Sequence, residues 1–226
     1  MSTFYIINMN KSQKRWNDMV KEMKKAQIKN YQRISAIDGK KLKWSQIKEK
    51  TNFLSRNFFT TKPILGGSLS HLKAWKTFVK NSQPGDWTII FEDDAQPIPN
   101  FLHELKKLQK EVERLNQKGH QIEIVKLACT GGCCPEESDF VSLYISAQAR
   151  IAGRKRENIS QQICKPSLSL SGAGYLLSYQ GALKLINGFE KGIFSAVDIQ
   201  WNIYLNQYAS RKRLVELNSN CYNSTI

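Results

Sequence analysis

Three consecutive carboxylates, Glu92, Asp93 and Asp94, end an apolar run that begins at Trp87. Such a run predicts a buried strand that delivers acidic side chains to the edge of a sheet. In an extended chain Glu92 and Asp94 would share one side, whereas Asp93 would point to the other. Carboxylate oxygens are the ligands that Mg²⁺ and Mn²⁺ prefer, and a substrate phosphate commonly completes their coordination. The alternative is a strand that runs into a solvated acidic turn.

A further carboxylate with chemical potential is Asp198, near the start of a helix predicted over residues 197–208. Unpaired backbone N–H groups at a helix N-terminus favour the ionised form of such a side chain. An ionised carboxylate can remove a proton from an attacking hydroxyl group, which makes Asp198 a candidate general base. The alternative is that Asp198 only caps its helix.

The elements that must position these acids alternate along the chain. Apolar runs predict strands at residues 4–7, 31–37, 87–91, 122–127, 140–147 and 172–178. Helical spacing predicts helices after the capping residues Ser12, Ser68 and Asn100, and over residues 44–50, 180–187 and 197–208. Strands that alternate with helices indicate an α/β fold with a mixed, mostly parallel sheet flanked by helices.

Ligands of open α/β sheets bind at the carboxyl ends of the strands. The predicted strand ends carry Asn8, Asp38, the acidic triplet and a glycine-rich loop at residues 130–139, which could all line one cleft. No Gly-x-Gly-x-x-Gly follows the first strand, and there is no Walker-type motif. A cation held by the acids is therefore the expected route to phosphate binding.

Composition narrows the class of protein further. The 226 residues, 41% of them hydrophobic, suit one large folded domain. No apolar segment is long enough to cross a bilayer and no secretion signal opens the chain, so we expect a soluble, cytoplasmic protein. The five cysteines are an odd number without zinc-site spacing, which favours free thiols over disulfides.

The formal net charge of +15 has two interpretations. Many lysines fall on the outer faces of predicted helices, which favours a solvated basic surface. A positive field can also attract polyanions, anionic membranes or phosphorylated small molecules. Because no nucleic-acid-binding motif is evident, a basic nucleic-acid or anionic-surface binding module is the alternative function rather than the leading one.

Four segments resemble motifs of the lipooligosaccharide and procollagen galactosyltransferase family. They are FYIINMNKSQKRW at residues 4–16, RISAIDG at 33–39, GSLSHLKAW at 67–75 and IIFEDD at 89–94. Their order along the chain matches the order in the family, and weaker similarity follows at 174–182 and at 197–198. Short viral relatives that glycosylate capsid protein are the most similar in length.

The resemblance implies a GT-A-type single domain over residues 1–226, with a nucleotide-binding part at about 1–130 and an acceptor part at about 131–226. It implies transfer of a sugar from a UDP-sugar to a glycan or glycoprotein, with Mn²⁺ or Mg²⁺ as the cofactor. No nucleic acid is expected as a partner, whereas peripheral contact with a membrane is compatible with this class. A viral member would work in the host cytoplasm.

The resemblance also assigns roles to individual residues. Those that would contact the nucleotide-sugar are Asn8, Arg15, Ala36, Asp38, Ser70, His71, Glu92 and Asp93. Asp94 and Glu92 would hold the metal, and Asp198 would remove the proton from the acceptor hydroxyl as it attacks the anomeric carbon. Alternatives remain for several residues. Arg15 could be a solvated helix residue, Asp38 a turn former beside Gly39, and His71 a helix-start histidine.

Overall fold

The computed structural model describes residues 3–51, 61–128, 133, 156–166 and 171–217. Within these ranges the strands are β1 (Phe4–Asn8), β2 (Tyr31–Ser35), β3 (Trp87–Glu92), β4 (Ala95–Pro97), β5 (Ile124–Lys126), β6 (Glu157–Asn158), β7 (Ile163–Lys165), β8 (Gly174–Ser178), β9 (Gln207–Ser210) and β10 (Val215–Leu217). The helices are α1 (Gln13–Lys25), α2 (Trp44–Lys50), α3 (Lys62–Lys80), α4 (Phe101–Gln117), α5 (Tyr179–Glu190) and α6 (Val197–Gln200), with 3₁₀ turns at Gly39–Lys41 and Trp201–Ile203.

Eight strands form one mixed sheet in the order β2-β1-β3-β8-β5-β9-β7-β6. Strand β1 runs parallel to both β2 and β3, whereas β8 lies antiparallel to β3 and to β5. Beyond β5, strand β9 is parallel to it, and β7 and β6 continue antiparallel. The α/β class and the mixed sheet are confirmed, and the architecture agrees with the GT-A-type fold that the resemblance implied. Parallel pairings are concentrated at the β2-β1-β3 edge.

Apolar layers cover both faces of the sheet. Because strand side chains alternate, Ile6 and Phe91 face one layer, while Tyr5 and Ile90 face the other. Helices α1 and α4 contribute to the first layer, and α3 and α5 to the second. Helix α4 begins after Asn100 as predicted, and its helically spaced residues Leu105, Leu108, Val112 and Leu115 are all buried.

Two predicted helices have different bounds from those expected. Helix α3 begins at Lys62, where Thr61 Oγ1 accepts a hydrogen bond from Ile64 N, so Ser68 lies inside the helix and does not cap it. Gly66 is inside α3 because the helix packs directly on a turn of the chain; an added Cβ would lie 2.6 Å from Gly39 N. The predicted helix at 197–208 is wrong beyond the 3₁₀ turn, since Gln207–Ser210 is a fully buried strand paired with β5.

The cysteines also differ from expectation. Cys133 and Cys164 form a disulfide with a Cα–Cα distance of 5.9 Å, and both pack against Ala209. The prediction of free thiols is therefore wrong for this pair. The predicted loop at 130–139 apart from Cys133, and the predicted strand at 140–147, lie outside the described residues. In the described part of the chain no helix has the length and apolar character that a membrane span requires.

Candidate active site

The carboxyl ends of β1, β2 and β3 open into one cleft of about 530 Å³. Its lining includes Asn8 at the end of β1, residues 36–38 after β2, and Glu92 at the end of β3. Ser70 and His71 of α3, Arg15 of α1 and Asp93 also line it, whereas the predicted metal ligand Asp94 and the predicted base Asp198 are not among its lining residues. Neighbouring parallel strands end at the same edge of a sheet, so the sequence motifs converge as the fold class requires.

The Asn8 side chain, at the end of β1, is held by hydrogen bonds from two sides. Its Nδ2 donates to Asp93 Oδ2, and its Oδ1 accepts from Arg33 Nη2. The Arg33 guanidinium lies 4.7 Å from the ring centroid of Trp16, which holds it in place. Arg15 Nη2 pairs with Asp93 Oδ1 and lies 3.6 Å from Asp94 Oδ2. Arg15 therefore lines the cleft as a paired side chain and is not a solvated helix residue.

Asp38 forms a turn and also lines the cleft. Its Oδ1 accepts from Lys40 N at 3.2 Å, and its Oδ2 pairs with Lys11 Nζ at 2.8 Å. The hydrogen bond from Lys11 lowers the pKa of the Asp38 carboxyl below its ordinary value. The side chain is thus an anion held at the cleft mouth, where it can accept hydrogen bonds from a hydroxyl-bearing ligand.

Ser70 and Ala36 connect the elements that form the cleft. Ser70 Oγ accepts from Ile37 N at 2.8 Å and donates to Gly66 O at 2.6 Å. Ala36 N donates to Asn8 O at 3.0 Å. Because both of its hydrogen bonds are internal, Ser70 joins the end of β2 to α3 and fixes the cleft wall.

His71 belongs to a buried chain of hydrogen bonds that ends at Glu92. Trp75 Nε1 donates to Tyr175 Oη at 2.8 Å, and Tyr175 Oη lies 2.8 Å from His71 Nδ1. His71 Nε2 lies 3.0 Å from Glu92 Oε1. An indole N–H can only donate and a carboxylate can only accept, so the neutral tautomer that fits carries its proton on Nε2. Burial raises the pKa of Tyr175 well above its ordinary value, which keeps its hydroxyl as a donor to Nδ1.

Glu92 is ionised by this arrangement. Burial acts to raise the pKa of its carboxyl, but the hydrogen bond from His71 and the positive charges of Lys126 and Arg15 lower it overall. The His71 side chain is only 3% exposed, whereas that of Glu92 is 35% exposed and faces the cleft. His71 therefore supports a cleft carboxylate from a buried position. It lies inside α3, which begins at Lys62, and is not a histidine at a helix start.

The acidic triplet does not alternate as an extended strand would. Strand β3 ends at Glu92, and Asp93 and Asp94 form a turn before β4. Glu92 and Asp93 both line the cleft, so the expectation that Asp93 points away from Glu92 is wrong. Burial raises the pKa of Asp93, with Arg15 and Asn8 opposing. Burial and the charge of Glu92 raise the pKa of Asp94 to about 6, although Arg15 partly offsets them.

The acidic turn offers a partial set of metal ligands. Asp94 Oδ1 is buried and has no hydrogen-bond partner among the described residues, so it could coordinate a cation. Within those same residues, however, no three His, Cys, Asp or Glu side chains gather into a metal-holding group. The donor set fits Mn²⁺ or Mg²⁺ only if diphosphate oxygens and water supply most of the ligands, as is common for Mg²⁺.

Sequence reasoning missed Lys126. It lies in the apolar strand β5, is 1% exposed, and donates from Nζ to Ser171 O at 2.5 Å. Its Nζ is 3.3 Å from the ring centroid of Trp201. Burial lowers the pKa of Lys126 to about 7, and the charges of Asp198 and Glu92 oppose this shift. One signal was present in the sequence. Lys126 ends a short apolar strand, β5, which pairs with a neighbouring strand on each side.

Asp198 does not itself line the cleft, but the two residues that precede it, Ala196 and Val197, do. The N-cap position of α6 is Ala196, and the Asp198 carboxylate instead accepts from Ser171 N at 2.9 Å through Oδ2. Asp198 is therefore not the cap of its own helix. The side chain is half-buried and joined to a distant segment, a setting that suits a positioned base.

The geometry agrees with the result of a family comparison. The model of glycosyltransferase family 25, described as an LPS biosynthesis protein, matches residues 1–201. The chain belongs to glycosyltransferase family 25. This glycosyltransferase gives no match among curated proteins. The matched span includes the whole cleft and Asp198, so family membership covers each predicted site residue and implies a sugar donor and an acceptor as substrates.

Proposed function

We propose that this glycosyltransferase is a metal-dependent enzyme that transfers a hexose from a UDP-sugar to a hydroxyl group of a glycan or glycoprotein. One observation carries the proposal: residues from four separate sequence motifs line a single cleft of about 530 Å³. That volume lies within the range of small-molecule sites, roughly 300–1,000 Å³. Basic side chains at the cleft, those of Lys11, Arg15 and Lys40, suit an anionic ligand.

The nucleotide would lie over the ends of β1 and β2. Asn8, Arg15, Ala36 and Asp38 line this part of the cleft, and Asn8 and Arg15 also contact Asp93 of the acidic turn. The ionised Asp38 carboxylate can accept hydrogen bonds from ribose hydroxyl groups. Because the side chain of Ala36 is small, a flat nucleotide base can approach the main chain there closely. Ser70 and His71 support the opposite wall.

Asp94 and Glu92 would hold the cation. When bound, Mn²⁺ or Mg²⁺ supplies Lewis-acid stabilisation of the charge that develops on the departing diphosphate. The unpartnered Asp94 Oδ1 supports this assignment, and His71 keeps Glu92 ionised and oriented. Arg15 and Asn8 engage Asp93, so this residue shapes the turn beside the donor.

Asp198 would act as the general base. Its carboxylate accepts the proton of the acceptor hydroxyl as that oxygen forms a bond to the anomeric carbon and the bond from that carbon to the diphosphate breaks. A single displacement of this kind inverts the anomeric centre. Its position beside Ala196 and Val197 at the cleft supports the role.

A thermal-shift experiment tests the proposal. We expect UDP with Mn²⁺ to raise the unfolding temperature more than UDP or Mn²⁺ alone, because a ligand of the native state stabilises it in proportion to its affinity. Asp94→Ala should remove the Mn²⁺-dependent part and the release of UDP from UDP-glucose and UDP-galactose. Asp18→Ala, which removes an exposed carboxylate of α1, is the matched control and should leave both unchanged.

Two results would contradict the proposal. Wild-type-like UDP release by Asp94→Ala would reject the metal assignment. Binding of DNA or RNA with a steep salt dependence, together with no response to UDP and Mn²⁺, would favour the nucleic-acid module instead.

A further inference from the structure

Lys126 joins parts of the molecule that the donor site does not use. Its ammonium group is buried, donates to Ser171 O, and lies over the ring of Trp201, the residue that follows α6. Ser171 N in turn donates to Asp198 Oδ2. A single residue, Ser171, is thus fixed at its carbonyl by Lys126 and bonded at its amide to Asp198.

We propose that Lys126 is a positioning residue for the glycosyl transfer step, acting through Ser171 to hold the Asp198 carboxylate in place. This inference rests on the proposed function, since it takes Asp198 as the base. The Lys126 ammonium group is held by Ser171 O and the Trp201 ring, so it is not assigned a contact with either substrate.

The conformation of Ser171 shows why a positioning group is needed. Its φ of +77° lies in the left-handed region, which residues other than glycine rarely adopt. Such a conformation is strained and persists only when its surroundings determine it. The hydrogen bond from Lys126 Nζ to Ser171 O is one such constraint on the residue whose amide donates to Asp198.

The charge of Lys126 is expensive to bury, which argues against a packing role alone. Transfer of an ammonium group from water to an apolar interior is unfavourable unless it is paired and hydrogen-bonded. An aliphatic side chain of similar length would fill the same space without this cost. Retention of a cation here is therefore explained by the contacts that it makes with Ser171 and Trp201 and by its attraction to Asp198.

The segment that holds Ser171 also contacts the donor side. An added Cβ on Gly172 would lie 2.4 Å from Glu92 Oε1 and 3.2 Å from His71 Nε2. The adjacent residues Ser171 and Gly172 therefore contact Asp198 and Glu92, respectively. Through this segment Lys126 fixes the relative placement of the two carboxylates.

A double-mutant cycle with Lys126→Met and Asp198→Asn tests the inference. The readout is UDP release from UDP-galactose with water as acceptor, together with the dissociation constant of UDP in saturating Mn²⁺. We expect Lys126→Met to lower kcat roughly 10- to 100-fold, since a misplacement of about 1 Å can have an effect of that size. The dissociation constant should stay within about twofold, because the nucleotide contacts are unchanged.

Coupling between the two residues is the decisive measurement. If Lys126 acts through Asp198, then Lys126→Met in the Asp198→Asn background should slow the reaction by less than about threefold further. Lys126→Arg retains the charge and should be faster than Lys126→Met. Lys21→Met, which removes an exposed lysine of α1, is the control for a loss of positive charge and should behave as the wild type.

Several outcomes would overturn the inference. Equal fold-losses from Lys126→Met in both backgrounds would show that Lys126 acts independently of Asp198. Equal rates for the Met and Arg variants would show that charge is not what matters. If Lys126→Met does not fold, the same cycle is measured with Lys126→Arg, and equal fold-losses in the two backgrounds again contradict the inference. A wild type that neither binds UDP with Mn²⁺ nor releases UDP refutes the proposed function itself, which is a distinguishable result.

Discussion

The two halves of the sheet build their functional groups in different ways. In the parallel half, β2-β1-β3, the polar residues Asn8, Asp38 and Glu92 lie at or shortly after the ends of their strands and within short sequence motifs. In the half that begins at β8, Lys126, Ser171 and Asp198 come from three distant segments that two hydrogen bonds bring together. The donor site is thus encoded locally, whereas the arrangement around the candidate base arises from long-range contacts.

The halves also differ in charge. The donor side gathers three carboxylates whose pKa values shift in opposite directions, downward for Glu92 and upward for Asp93 and Asp94. The other half contributes one buried cation, Lys126, that acts on carboxylates of both. If each half worked independently, a substitution in one half would change either donor binding or proton transfer, but not both.

The largest effect is expected for Asp198→Asn. The amide cannot accept a proton from the acceptor, so kcat should fall by about 10²- to 10⁴-fold, the usual contribution of a general base. The dissociation constant of UDP with Mn²⁺ should stay within about twofold, because the substituted group lies in the other half. Steady-state kinetics and calorimetric titration measure the two quantities. Undiminished turnover would remove Asp198 from the mechanism.

Gly172→Ala should break the separation between the halves. The new methyl group would be placed 2.4 Å from Glu92 Oε1, which forces the carboxylate away from His71. Loss of a hydrogen bond to a charged group is worth about 1.5–3 kcal/mol, so UDP and Mn²⁺ should bind roughly 10- to 100-fold more weakly. Calorimetric titration measures this change. Unaltered affinity with a normal unfolding temperature would show that Glu92 does not contribute to the donor site.

The pH dependence of donor binding sharpens the comparison. With a pKa of about 6, the ionised fraction of the Asp94 carboxyl falls about tenfold between pH 7 and pH 5. Because the metal requires the ionised form, the affinity for UDP with Mn²⁺ should fall by about the same factor. Titrations at both pH values measure it. In Asp94→Asn this dependence should disappear, and its persistence would assign the titration to another group.

The same carboxyl affects stability with the opposite sign. Its folded-state pKa is raised above the ordinary value, so the folded metal-free protein binds this proton more tightly than the unfolded chain does. The resulting stabilisation is present at acidic pH and is lost as the pH rises through about 6. Urea unfolding without metal at pH 5 and pH 7 should show this difference between the wild type and Asp94→Asn.

The smallest effect is expected for Tyr208→Phe in β9. The Tyr208 hydroxyl donates to His120 O at 3.0 Å, a single hydrogen bond far from the cleft. Its loss should lower the free energy of unfolding by about 0.5–1.5 kcal/mol in urea titrations. Affinity for UDP with Mn²⁺ should remain that of the wild type. A weaker donor affinity would show that the halves are coupled through the sheet itself.

Elements stabilised by contacts between residues close in the sequence were easier to predict than elements stabilised by contacts between distant segments. Helix α4 was predicted closely because its apolar spacing alone selects the buried face, and β3 because its apolar run is short and bounded. The start of α3 was misplaced because Gly66 and Gly67 look like a break, yet the glycine at 66 is needed where α3 packs on Gly39. Strand β9 was assigned to a helix because pairing with β5 overrides local preference.

By itself, the sequence determined the α/β class, the motifs at the ends of β1, β2 and β3, and the membership of glycosyltransferase family 25. These depend on local patterns and on the rule that parallel strands end at one edge. Only the tertiary structure decided that Asp93 joins Glu92 at the cleft and that Lys126 reaches Asp198 through Ser171. The physical reason is that turns and long-range hydrogen bonds place side chains by contacts between segments that are far apart in the chain.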